Sequence, residues 1–372
     1  MRRPQLAQFI ERMESDSVAI IPSGRETVRS NDTNHRFRQD SDFYYLTGFG
    51  EPESIAVIRP SHKEHPYMLF VRPRDPEKET WEGRHAGVEG AVAEYGADAA
   101  FPISEFAAKL AEMLDGTRNL YYRLGIHPEL DDQVIKQIAN MRAGARRGVQ
   151  PPEVITDTSV IVHEMRLIKN DDELALMKRA VKITVEAHLE AMRATRPGTK
   201  EHELEALIDY IFRRNGATAP AYNSIIGGGA NAAVLHYTRN DQVLHDGDLV
   251  LVDAGAEYQG YAADITRTFP VNGRFSAAQR DIYNLVLNAE LACIAMVKPG
   301  VRVNELYNRS VEILTEGMVR LGLLTGDPAK LIEEGKHKQF YMHRLGHFIG
   351  MDVHDAGRYF IRGESRQLEA GM

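Results

Sequence analysis

One cysteine and one tryptophan in 372 residues are the first shortages of this sequence. Cys293 alone cannot form an internal disulfide, and its setting, Leu291-Ala-Cys-Ile-Ala-Met296, is that of a small buried hydrophobe. A reducing, cytoplasmic compartment is expected. No apolar run approaches the ~18 residues of a membrane span. The start, Met1-Arg-Arg-Pro4 followed by a charged amphipathic stretch from Gln5 to Ser17, lacks the apolar centre of a signal peptide. Net charge is -8 and no long Lys/Arg cluster occurs, which argues against nucleic acid and anionic membrane as partners and suits cations better. A G-x-S-x-G elbow, a Walker loop and a Cys-x-x-Cys pair are also missing, so covalent and nucleotide chemistries rank low.

Apolar residues make up 43% of the chain, ample for two ordinary cores. Up to about residue 165 short apolar runs, Val18–Ile21, Ser54–Ile58 and Met68–Val71, alternate with helical stretches near 103–114 and 129–143. This pattern predicts a mixed α/β domain. Asn170 with Glu173 three residues later forms a capping box for a helix running to about Thr195, where Pro197-Gly198 stops it. Its apolar face is assigned to Leu174, Met177, Val181, Thr184 and Ala187. The domains are therefore placed at 1–168 and 169–372.

The second domain carries an internal repeat. Arg196-Pro-Gly-Thr-Lys-Glu-His-Glu-Leu204 opens one helix, and Lys298-Pro-Gly-Val-Arg-Val-Asn-Glu-Leu306, 102 residues on, opens another; each follows a preceding helix. Val243-Leu-His-Asp-Gly247 and Gln367-Leu-Glu-Ala-Gly371 then share a Leu-x-x-Gly shape. Two related halves facing each other are expected.

Chemistry concentrates in Asp253 and Asp264, which flank an apolar β-run and a turn containing Gly255 and Gly260. An apolar strand normally excludes charge, and two acids on adjacent strands repel, so both are tolerated only if protons or cations neutralise them. Paired strands bring such a pair to one point, where oxygen-rich coordination suits manganese or magnesium better than a thiolate-type zinc site. Downstream, His343, His347 and His354 fall within twelve residues and are interleaved with Gly346 and Gly350. The first two would share a face if the segment were helical. His236, in Leu235-His-Tyr-Thr238, is the fourth histidine of interest. Ile226-Gly-Gly-Gly-Ala-Asn-Ala232 mimics a dinucleotide fingerprint, but polar turn residues follow where the pyrophosphate-binding helix should begin.

Taken together, Ile161-Val-His-Glu-Met-Arg-Leu-Ile-Lys169, Leu235-His-Tyr237, Leu251-Val-Asp-Ala-Gly255, Ala263-Asp-Ile-Thr-Arg-Thr-Phe-Pro270 and the stretch His343 to Asp355 resemble aminopeptidase P, the Xaa-Pro aminopeptidase family. Arg29 to Gly48 resembles the N-terminal domain of the same group. The resemblance implies an α/β (α+β) chain with a pita-bread catalytic domain, whose two pseudo-symmetric halves hold two divalent ions, Mn2+ in the first place, between five side chains. Asp253, Asp264 and His347 match three of those ligands. The other two are glutamates lying beyond the histidine segment in the family. The sequence ends at Met372 before them. The second half is thus expected to be incomplete and the 372-residue chain inactive.

By the same resemblance, His236, His343 and His354 match histidines that surround the metals and act on substrate. Trp81 resembles a residue that a neighbouring subunit offers near the proline pocket, which makes a homo-oligomer the expectation. The implied substrates are peptides with proline at the second position, and the implied nucleophile is a hydroxide bridging the two ions. Prolidase, which cleaves Xaa-Pro dipeptides, is the alternative enzyme. A non-catalytic pita-bread peptide-binding module is the alternative without chemistry, although such a module has no physical reason to keep a repulsive acid pair. Creatinase shares the fold but not this metal set.

Overall fold

In the N-terminal part six short strands form one mixed sheet in the order Ala99–Pro102, Tyr67–Val71, Ile55–Ile58, Ser17–Pro22, Asn119–Tyr121, Val154–Thr156. The computed structural model describes residues 3–372, so of the basic pair Arg2-Arg3 only Arg3 is described. Ile55–Ile58 and Tyr67–Val71 are buried along their whole length, which is why they read as unbroken apolar runs rather than alternating ones. Val18, Ile20, Val57 and Phe70 pack with Phe106 and Leu110 of the helix Phe106–Leu114 and with Val134 and Ile138 of Pro128–Ala143. The helix Pro76–Glu82 is capped by Asp75, whose carboxylate accepts from the Glu77 and Lys78 amides. On it Trp81 is 88% exposed.

The chain divides into compact units Met1–Arg166 and Leu167–Met372. The second opens with the expected capping box: Asn170 Oδ1 accepts from the Glu173 amide and Glu173 Oε2 from the Asn170 amide, both at 3.0 Å. The helix Asp171–Ala194 follows, with Thr184 and Ala187 buried as expected; the rest of its buried stripe is Glu173, Ala180, Ile183, His188 and Ala191, while Leu174 and Met177 are half-buried and Val181 is 42% exposed. Polar side chains turn the face. Tyr261 donates to Glu173 Oε1 at 2.8 Å, and Thr184 Oγ1 accepts from the Ala256 amide at 3.0 Å. Hydrogen bonds let these groups enter the core that an apolar pattern alone would deny them.

The duplication is written in the backbone. Gly198 donates to the Leu244 carbonyl at 2.9 Å and Leu244 returns a bond to Thr199; Gly300 donates to Leu368 at 2.8 Å and Leu368 returns one to Val301. Isolated bridges pair Lys200 with Val243 and Arg302 with Gln367. The helices Asp171–Ala194 and Glu201–Arg214 are thereby matched by Ala277–Met296 and Val303–Arg320. Burial follows the same offset, with Ile183, Ala187, Ala191 and Leu204 answering to Leu285, Ala289, Cys293 and Leu306, all buried. Cys293 is the buried free thiol its sequence setting suggests.

Candidate metal centre

The strand Leu249–Ala254 alternates strictly. Val250, Val252 and Ala254 enter the core, while Leu249, Leu251 and Asp253 take the other, half-buried face. Asp253 is therefore carried by an apolar strand without entering its core. The strand pairs antiparallel with Ile265–Pro270, Asp253 opposite Thr266 and Ala254 opposite Ile265, which leaves Asp264 one residue outside the ladder and beside Asp253. Between them a small hairpin, Ala256–Tyr258 with Tyr261–Ala262, turns at Gln259 and Gly260, both with positive φ (50° and 84°) as a type I′ turn demands. Gly255 does not make the turn; it permits a close crossing of the two chains at the base of the hairpin.

Tyr222, which the sequence reading missed, binds the pair. Its hydroxyl lies 2.5 Å from Asp253 Oδ1 and 3.0 Å from Asp264 Oδ1. A phenol has one proton and can donate to only one carboxylate at a time. Nothing in Ala221-Tyr-Asn223 signals this role, because the partners lie 31 and 42 residues away.

The segment from Tyr341 to Arg358 contains no helix, so His343 and His347 do not share a helical face. An irregular loop brings His347 Nε2 to 3.2 Å from Asp264 Oδ2, and the His354 ring meets the His347 ring edge to face with centroids 4.3 Å apart. The loop is tied to the hairpin by the Ala262 amide donating to the Gly350 carbonyl at 2.8 Å. Asp253, Asp264, His347 and His354 thus converge. Among the described residues no hydrogen bond or ring contact joins His236 or His343 to them. His343 is exposed, its ring edge to face with Tyr341. His236 is exposed in the coil after the short 3-10 helix Gly229–Ala233, whose five residues offer no seat for a dinucleotide pyrophosphate.

Electrostatics make the two acids unequal. Burial raises the Asp253 pKa above the usual carboxylate range, and the neighbouring Asp264 adds to this against the Tyr222 hydrogen bond. Burial also acts on Asp264, but hydrogen bonds from His347 and Tyr222 and the nearby imidazoles outweigh it and bring its pKa below the usual range. The Asp264 hydrogen bond in turn raises His347, opposed by burial. Burial and both carboxylates hold the Tyr222 phenol neutral. The neutral phenol thus offers the two carboxylates a hydrogen bond but no positive charge, and His347 is the cationic partner of Asp264.

Two carboxylates and an imidazole, with no thiolate, form a donor set of the kind that hard or borderline divalent cations take. The three groups fit such an ion in chemistry, and Asp264 lies beside both Asp253 and His347. Among the described residues no group of three or more His, Cys, Asp or Glu stands as a ready-made cage, and His347 Nε2 is engaged by Asp264.

A paired-strand acid site met by histidines from a second, duplicated half defines a metallohydrolase of the pita-bread class. Comparison with known proteins agrees. Residues 175–372 match the model of metallopeptidase family M24, and residues 2–121 that of the aminopeptidase P N-terminal domain. The Xaa-Pro aminopeptidase of Escherichia coli K12 is 43% identical over 365 residues, covering 98% of this chain and 82% of that protein. The Haemophilus influenzae enzyme of the same name is 44% identical over 97% of this chain and 81% of its own length. Among solved structures, Pseudomonas aeruginosa aminopeptidase PepP superposes with a TM-score of 0.96 at 46% identity, over 100% of this chain and 85% of that one. Zinc-substituted E. coli aminopeptidase P in complex with product gives 0.95 at 42%, over 99% and 84%. The chain belongs to metallopeptidase family M24 and, within it, to the aminopeptidase P family.

Proposed function

We propose that this chain is active, contrary to the expectation drawn from its last residues, and releases the N-terminal residue from peptides whose second residue is proline, using Mn2+ with Asp253, Asp264 and His347 among the metal ligands. What supports the reading above all is the meeting of those three side chains, from a hairpin and a distant loop, in one acidic hollow. Divalent cations bound there would acidify water and polarise the scissile carbonyl.

The chain's own residues do the rest. Asp253 and Asp264 supply the charge that retains cations, and Tyr222 holds the two carboxylates side by side. His354, packed on His347, faces the reacting carbonyl and donates to the oxygen as it gains charge; His343 serves the same end, with His236 on the far side of the substrate. An Xaa-Pro bond is a tertiary amide without an N–H, so recognition falls to a surface that receives the ring. Trp81, exposed on its capped helix, supplies an aromatic face to a neighbouring copy, in a cytoplasmic homo-oligomer.

Assay of an Xaa-Pro-Xaa tripeptide against an Xaa-Pro dipeptide tests the reading. Release of the first residue from the tripeptide is expected. Cleavage of the dipeptide alone would mark a prolidase instead.

A further inference from the structure

Lys169 and Asp355 form an ion pair inside the second unit, Nζ to Oδ2 3.0 Å, with side chains only 2% and 1% exposed. Withdrawing two full charges from water is costly, and apolar residues of similar volume fill such a space at no loss of stability. The pair therefore calls for a role beyond holding the fold, and its surroundings supply one.

Asp355 closes the loop that carries the site histidines. Its amide donates to the Phe348 carbonyl at 3.0 Å, and its Oδ1 accepts from the Asp352 amide at 3.4 Å. Phe348 and Asp355 directly follow His347 and His354, so this closure sets the spacing of the two rings that meet at 4.3 Å. Gly350 lies over the pair: a Cβ there would stand 2.2 Å from Asp355 Oδ2 and 2.9 Å from Lys169 Cε. The same Gly350 accepts from Ala262, two residues before Asp264. Lys169 is itself fixed, its amide donating to Gly371 at 2.8 Å and its ammonium to the Leu167 carbonyl at 3.2 Å.

We propose that Lys169 is a positioning residue: through Asp355 it anchors the loop that presents His347 to the acid pair and His354 to substrate. The proposal rests on the peptidase reading for those histidines' roles but on geometry alone for their placement. Side-chain NMR of the histidine rings in the metal-free full chain, for wild type and Lys169→Met, reads that placement directly. Displaced His347 and His354 ring signals are expected, with those of His62 and His127 in the N-terminal unit unmoved. Mn2+ affinity and kcat/KM on an Xaa-Pro-Xaa tripeptide should fall about 10–100-fold, the range seen when groups behind a metal ligand are removed. Should Lys169→Met not fold, Asp355→Asn keeps the shape, removes the charge and carries the same readouts. Unmoved ring signals, or a lowered melting temperature with Mn2+ affinity kept within about twofold, would overturn the proposal. A wild-type chain that binds Mn2+ yet cleaves no peptide would count against the peptidase reading alone, since the ring signals need no substrate.

Discussion

Gly255 lies so close to Ala263 that a Cβ on the glycine would stand 1.7 Å from the Ala263 carbonyl oxygen. This contact is the crossing point of the hairpin, and it is what lets Asp253 and Asp264 stand side by side at its base.

Gly255→Ala must part the two chains. Because the obstacle is backbone, rotamer adjustment gives no relief, and a loss of about 1–3 kcal/mol or more is expected for the overpacking. Chemical denaturation measures it; wild-type stability in the variant would contradict the role given to the crossing.

Tyr222→Phe removes the proton shared by the acid pair. Hydrogen bonds to charged groups contribute about 1.5–3 kcal/mol, so the metal-free variant should be destabilised by roughly that amount. With saturating Mn2+ the difference should shrink, because the cations then offset the repulsion. Equal losses with and without metal would show that the hydroxyl does not act on the carboxylates.

The hairpin, the capping box and the repeat were legible because each is written locally: glycine where positive φ is needed, Asn and Glu three apart, Pro-Gly at matching offsets. The loop from Tyr341 to Arg358 was not, since its shape comes from Lys169, Ala262 and the stacking of Phe348 on Tyr359, none of which periodicity reveals. On the helix Asp171–Ala194, Thr184 and Ala187 are buried as expected, but Glu173 was missed for a related reason: it is charged, and only its distant partner Tyr261 makes its burial tolerable.

Acid should weaken the second unit through His188. Burial lowers its pKa from 6.5, aided by Arg267 and opposed by its hydrogen bond with the Ala254 carbonyl. The unfolded chain then binds more protons than the folded one below 6.5, so the stabilisation is whole above that pH and is lost as pH falls toward the folded value. Unfolding free energies measured between about pH 7.5 and 5 should show this decline. His188→Asn should flatten it; an unchanged slope would rule the histidine out as its source.

Glu201 is fully buried and its carboxylate accepts from the Gly228 and Gln242 amides, the Asn231 side chain and the Tyr237 hydroxyl. Glu201→Gln keeps the shape but turns an NH2 toward donors. A loss of about 1.5–3 kcal/mol is expected, together with faster amide exchange from Gly228 to Gln242, the stretch that holds His236. Unaltered exchange there would deny Glu201 that bracing role.

The most direct test of the account is calorimetric titration of Mn2+ into the wild-type chain and into Asp264→Asn, the residue that both Tyr222 and His347 touch. Saturable binding by the wild type, weakened at least about tenfold by the substitution, is the expected result. A wild type that takes up no Mn2+, or a variant that binds it equally well, would contradict a metal centre built on Asp253, Asp264 and His347.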